Sequence, residues 1–148
     1  MGCFRVCPHT LIHSSALLFR APRLGVEVRD MRAKDVLGQR GEELAADFLE
    51  DQGIRVVEQN WRCAAGELDI VAVDGDTLVV AEVKTRSSLD YGHPFEAVTP
   101  PKLARLHLLA CRWIRERGLR LPRRRLDAIA VIAVRGEEPV IEHLKGIG

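Results

Sequence analysis

The stretch Gly66-Glu67-Leu68-Asp69-Ile70-Val71-Ala72-Val73-Asp74-Gly75-Asp76-Thr77-Leu78-Val79-Val80-Ala81-Glu82-Val83-Lys84 decides the fold. Two apolar, β-branched runs flank Asp74-Gly75-Asp76, a strong hairpin signal. Ile70–Val73 and Leu78–Ala81 are almost continuously apolar, so both faces of these strands call for cover. Charges embedded at the ends of such strands need a reason. A strand repeats a face every second residue, which groups Glu67 with Asp69 and Glu82 with Lys84.

Register decides whether the two groups meet, because opposite residues of an antiparallel pair share a face. A two-residue Asp74-Gly75 loop pairs Glu67 with Glu82 and leaves Asp69 diagonal to it. A four-residue loop sets Asp69 directly opposite Glu82. A plain three-residue loop sends Asp69 and Glu82 to opposite faces. Where they converge, clustered carboxylates are costly unless a cation neutralises them. Hard oxygens in that number suit Mg²⁺ or Mn²⁺, and a lysine beside the ion suits water activation or phosphate contact. The pattern points to metal-dependent phosphodiester chemistry. The competing reading, charged ends of amphipathic strands, fits poorly with the apolar flanks.

Working outward, Leu37, Gly41, Leu44, Ala45, Phe48 and Leu49 recur at helical spacing from Asp35, and Gly53 is a natural stop. Glu42 falls on the margin of that stripe, and Glu43 points away. Ile54–Trp61 reads as a strand. Thr99-Pro100-Pro101 reads as an N-cap followed by first-turn prolines, opening a helix to about Gly118. It would bury Leu103, Leu106, Ala110, Trp113 and Ile114, with Lys102, Arg105, Arg112 and Arg115 on a separate basic stripe. Leu126–Val134 is strand-like, and Val140–Leu144 is a short final candidate. The order helix, three strands, helix, strand predicts an α/β fold with a mixed central sheet flanked by helices.

The 148 residues amount to one domain, and 47% hydrophobic with 29% charged residues is an ordinary soluble composition. No apolar run approaches the roughly 20 residues that span a bilayer, so no membrane partner is expected. A net charge of +1 leaves any nucleic-acid footprint to local clustering. Residues 102–125 supply it, with Arg117, Arg120 and Arg123-Arg124-Arg125 added to the stripe and Glu116 the only acid. Cys63 and Cys111 stand alone, as thiols do in a reducing cytoplasm. Residues 1–30 read as a disordered extension, or as sequence upstream of a functional start at Met31, with the folded domain at 31–148. Cys3, Cys7, His9 and His13 there mimic zinc-ligand spacing, but only one residue separates the two pairs, too little for a structural site.

Gly38-Gln39-Arg40-Gly41-Glu42 with Ala45, Asn60, Gly66-Glu67-Leu68-Asp69, Glu82-Val83-Lys84-Thr85-Arg86, Gly92 with Pro94, Glu96-Ala97-Val98, Lys102 and Arg125-Leu126-Asp127 together resemble the YraN-like family of bacterial proteins. That family looks like a branch of the restriction-endonuclease-like, PD-(D/E)xK nuclease superfamily, which includes archaeal Holliday-junction resolvases. The resemblance covers residues 33–145 and implies an αβββαβ core. It implies an endonuclease hydrolysing phosphodiester bonds of branched or structured DNA, with a homodimer by analogy to the resolvases. Asp69 and Glu82 would ligate Mg²⁺ (or Mn²⁺), with the Val83 carbonyl as a third oxygen. Lys84 would orient or help deprotonate the attacking water. Glu42 would hold a bound water or a second ion. Independently of the resemblance, the charge of Lys102, Arg105, Arg112 and Arg115 suits phosphate contacts with nucleic acid, against the plainer reading of a solvated helix face. Glu67 is left between joining the site and orienting its members. Two rivals stand beside this reading: a non-catalytic nucleic-acid-binding accessory protein, and a metal-independent ribonuclease using Tyr91, His93 and Lys84.

Overall fold

In the computed structural model, which describes residues 24–148 apart from Leu89 and Tyr91, Asp74 pairs with Thr77 and Ile70 with Ala81. The loop is therefore Gly75-Asp76, and Gly75 supplies the positive φ (60°) that a two-residue hairpin asks of its first central residue. The ladder ends at Ile70 and Ala81, and Asp69 and Glu82 are the next residues on the two strands. That is the register of the four-residue alternative, closed by one further pair.

These strands, β2 (Gly66–Asp74) and β3 (Thr77–Arg86), occupy the middle of a five-stranded sheet ordered β1-β2-β3-β4-β5. β1 (Arg55–Cys63), β4 (Arg123–Ile132) and β5 (Val140–Lys145) complete it. Neighbours run antiparallel except β3 and β4, which are parallel and are linked through α2 (Pro100–Arg117). With α1 (Leu24–Asp51) preceding the sheet, the chain has the α/β, αβββαβ order of a restriction-endonuclease-like core, with β5 appended.

Each helix covers one face. Ala45, Ala46 and Leu49 of α1 pack on Ile70, Ala72, Val79, Ala81, Val83, Ile129 and Val131. On the other side Leu106, Leu109, Ala110 and Trp113 of α2 pack on Leu68, Val71, Leu78, Val80 and Leu126. Cover on both sides explains why the central strands read as unbroken apolar runs. Leu103 and Ile114, expected in the α2 core, are only partly buried at its edge, and Leu109 takes the inward place. Gly118 ends α2 in the left-handed conformation (φ 64°), its N–H donating to the carbonyls of Arg115 and Ile114. Thr99 holds the N-cap position without a side-chain hydrogen bond. Pro101 has removed one of the two N–H groups that a cap would serve.

α1 begins at Leu24, ahead of the boundary at residue 31 that composition suggests. Residues 32–36 are exposed, so this turn has no apolar stripe for periodicity to reveal. Residues 1–23, with Cys3, Cys7, His9 and His13, lie outside the described residues. No described helix is long and apolar enough to cross a membrane.

Gly41 sets how closely α1 approaches β3. A Cβ built there would collide with Oγ1, Cβ and Cγ2 of Thr85, so helix and strand meet through a missing side chain. This contact fixes Glu42, the next residue, above the end of β3. Gly41→Ala is expected to destabilise the fold by about 1–3 kcal/mol through overpacking. Adding Thr85→Ala should recover part of that loss in urea unfolding, and strictly additive effects would show that the two positions do not compete for space.

Candidate functional site

Asp69 sits where the sheet changes face. Val71 and Val73 turn towards α2, and Ile70 and Ala72 towards α1. Strict alternation would then turn Leu68 to α1, yet Leu68 is fully buried under α2. The reversal falls at Asp69. Its neighbour across β1, bracketed by the pairs Gln59 with Ile70 and Trp61 with Leu68, is Asn60, whose φ is 53°. Asparagine tolerates that left-handed backbone better than most residues. The Asp69 carboxylate consequently reaches β3 itself, where Oδ2 accepts the Val83 N–H at 2.8 Å. Within a strand the N–H and C=O of one residue point to the same edge, so the Val83 carbonyl also faces Asp69.

Glu82 follows Leu78 and Val80 onto the α2 face and is 1% exposed. Its Oε1 receives Lys84 Nζ at 2.5 Å and Lys102 Nζ, from the first turn of α2, at 2.9 Å. Its Oε2 is buried with no hydrogen-bond partner among the described residues. Lys84 Nζ also lies 3.3 Å from the Val83 carbonyl oxygen. The short strings of the hairpin thus converge as the register requires: Asp69, Glu82, the Val83 backbone and Lys84 form one cluster.

The cluster opens into a groove of about 420 Å³ between the α1 residues Lys34, Leu37, Gly38 and Glu42 and the sheet residues Glu67, Asp69, Val83 and Lys84. Glu42 therefore does look into the site from the helix margin, while Glu43 is exposed and lies 3.8 Å from Arg40. Glu67 sits on the groove wall, but its carboxylate pairs with Arg62 across the β1–β2 ladder at 3.1 Å. No group of three or more His, Cys, Asp or Glu side chains among the described residues is arranged to hold an ion unaided.

The basic stripe separates into different environments. Lys102 turns inward to Glu82. Arg105 lies over Gly66, where a Cβ would meet its guanidinium, and has no acidic partner among the described residues. Arg112 is engaged by Glu116 at 2.9 Å, one helical turn on, and Arg115 is exposed. Farther along, Arg117 binds Glu58 and stacks on Trp113, and Arg125 binds Asp74 and Asp127. Much of the basic charge in residues 102–125 is internally paired. Two residues to which the sequence assigned no role are Arg86, in the groove, whose Nε is buried without a partner among the described residues, and Arg62, in an adjoining concavity. Arg86 closes the motif that begins at Glu82, but its orphaned donor is not marked by that motif. His93 serves structure: Nδ1 accepts the Phe95 N–H, capping the 3-10 turn Pro94–Ala97, and Nε2 meets Glu142 at 3.1 Å. Tyr91 lies outside the described residues.

Burial pushes the Asp69 carboxyl up to about 6, and the negative charge of Glu82 is the second cause. The Val83 N–H and the Lys84 ammonium oppose them, and Glu42 adds a further push upward. The folded chain therefore binds this proton more tightly than the unfolded one, and stability falls as pH rises from about 4 through 6. In metal-free buffer Asp69→Asn, which keeps an acceptor for Val83, should be about 2–3 kcal/mol more stable than wild type at pH 8. The advantage should shrink towards pH 4 in parallel thermal melts. A constant difference across that range would place the effect in packing instead of ionisation.

The model of the family described as "Uncharacterised protein family UPF0102" matches residues 41–131, which contain every member of the cluster. Relatives bearing the name UPF0102 protein include one from Paenarthrobacter aurescens (strain TC1), 66% identical over 79% of this chain and 97% of its own. One from Arthrobacter sp. (strain FB24) is 64% identical over 80% of this chain and 100% of its own. One from Kineococcus radiotolerans is 48% identical over 79% and 97% respectively. The chain belongs to the UPF0102 family.

Proposed function

We propose that the chain is a Mg²⁺- or Mn²⁺-dependent endonuclease of the PD-(D/E)xK kind that hydrolyses DNA phosphodiester bonds. The observation that carries this reading is the unpartnered, buried Oε2 of Glu82 beside Asp69. A buried carboxylate oxygen without a donor is costly, and a divalent cation removes that cost. The donor set fits such an ion. Mg²⁺ characteristically takes one or two carboxylates and fills its remaining positions with water and substrate phosphate oxygens. Asp69, Glu82 and the Val83 carbonyl would hold it, and Glu42 would hold water at the groove wall.

When bound, the ion supplies charge to offset the transition state and lowers the pKa of water. Asp69 is fixed by the Val83 N–H, so one ligand is oriented before any ion arrives. Lys84, anchored between Glu82 and the Val83 carbonyl, carries a positive charge to the place where the nucleophile and the scissile phosphate must meet. Arg86 in the groove and Arg105 in the concavity beside it offer phosphate contacts that are independent of sequence. A non-catalytic nucleic-acid-binding role is favoured by one feature, the two lysines that already bond Glu82.

Cleavage of linear, nicked and branched DNA separates the two. With Mg²⁺ or Mn²⁺, wild type should cut at least one substrate, and Asp69→Ala and Lys84→Ala should each lose about 100-fold or more. Activity surviving both changes would sink the mechanism. For binding, Arg105→Ala should lower the slope of log affinity against log salt by about one, the effect of one lost phosphate contact. Arg112→Ala should have the smaller effect, because Glu116 already neutralises that guanidinium.

A further inference from the structure

We propose that Lys102 is an internal counter-ion that restrains the metal site, so that a divalent cation is taken up tightly only together with a phosphodiester. The inference rests on the nuclease reading and specifies how its site is regulated. Without an ion, Asp69 and Glu82 carry two negative charges, and Lys84 and Lys102 carry two positive ones. The cluster is already balanced. A divalent ion overloads it by two positive charges, and the groove wall, where Glu42 and Glu67 are matched by Lys34 and Arg86, offsets neither. A phosphodiester anion entering with the ion lowers that excess.

The geometry assigns Lys102 this part. Both ammonium groups sit on Oε1 of Glu82, at 2.5 and 2.9 Å, and neither reaches Oε2. The open oxygen can accept an ion while Lys102 stays in place, close enough to repel it. Lys84 is tied to the strand by a second contact, to the Val83 carbonyl. Lys102 stands instead in the first turn of α2 and also lines a second concavity of about 380 Å³ with Arg62, Gly66 and Arg105. A phosphate entering there would draw the Lys102 ammonium towards itself and relieve the repulsion at Glu82. By linkage, the ion and the nucleic acid must then raise each other's affinity by the same factor. Lys102 is a positioning residue in this scheme, acting through Glu82.

Mn²⁺ binding, followed by the EPR signal of the free ion, tests this for wild type, Lys102→Gln and Lys102→Arg, each with and without a saturating short DNA duplex. Wild type should bind Mn²⁺ about tenfold or more tightly with duplex than without. Lys102→Gln keeps an N–H donor for Glu82 but no charge. It should bind Mn²⁺ alone about tenfold more tightly than wild type and lose most of the duplex dependence. Lys102→Arg should behave as wild type. Equal wild-type affinity with and without duplex overturns the coupling, whether or not the variant folds. Lys102→Gln binding no tighter than wild type makes Lys102 a plain structural ion pair and overturns its role. Failure of every protein to bind Mn²⁺, with duplex or without, overturns the nuclease reading on which the inference stands.

Discussion

A single carboxylate, that of Glu82, organises the site. At 1% exposure its charge is out of reach of bulk water, so the protein has to supply the stabilisation that solvent would have given. Two lysines from different elements do so, one from the same strand and one from the first turn of α2. Glu82 therefore ties the start of α2 to the centre of the sheet, and Lys102 and Arg105 on its first turns line a concavity beside the site. The same charge raises the proton affinity of Asp69. The electrostatics of the site are those of a coupled set, and no member can be altered without changing what its neighbours experience.

Reaching that arrangement requires a local break in regular sheet structure. The face reversal at Asp69, matched by the left-handed backbone of Asn60 on β1, turns a carboxylate from a sheet face towards the adjoining strand. Its bond to the Val83 N–H replaces a backbone ladder contact. The apolar residues on either side, Leu68 under α2 and Ile70 under α1, keep the reversal from relaxing, because undoing it would expose one of them or drive it into the wrong core. The hydrophobic core thus enforces the position of a charged group.

Much of this was legible in the amino-acid order. The apolar runs around Asp74-Gly75-Asp76 identified the central hairpin, and parity arguments reduced its register to alternatives of which one holds. Glu42 could be told from Glu43 by helical angle alone, because one residue changes the face by 100°. At Lys102 the helical angle says less, since its ammonium bonds the buried Glu82. Periodicity assigns a residue to a helix face, but the length of a lysine stem lets its ammonium travel to a buried partner. Arg112 sits on the basic stripe of α2, and its pairing with Glu116, one turn on, is a detail the folded helix adds. The Asn60 conformation and the orphaned Arg86 Nε depend on how β1 and the groove wall are seated, which a local pattern does not encode.

A second buried acid shows that the incomplete bonding of Glu82 is not a general weakness of this fold. Asp127, on β4 at the level of Ala81, is fully buried, and both its oxygens are satisfied. Oδ1 accepts Arg125 Nε and the Gly146 N–H, each at 2.9 Å, and Oδ2 meets His143 Nε2 at 2.9 Å. Burial by itself would raise its pKa, yet the bonds from His143, Arg125 and Gly146 outweigh that and hold it below the ordinary carboxylate range. The neighbouring strand therefore surrounds a carboxylate completely within the same sheet. Glu82 receives both its donors on one oxygen, and its other oxygen has no partner among the described residues. Were both acids purely structural, the same pressure against unsatisfied buried oxygens would act on each. The difference between them separates an acid whose bonding is complete, Asp127, from one that leaves an oxygen open among the described residues, Glu82.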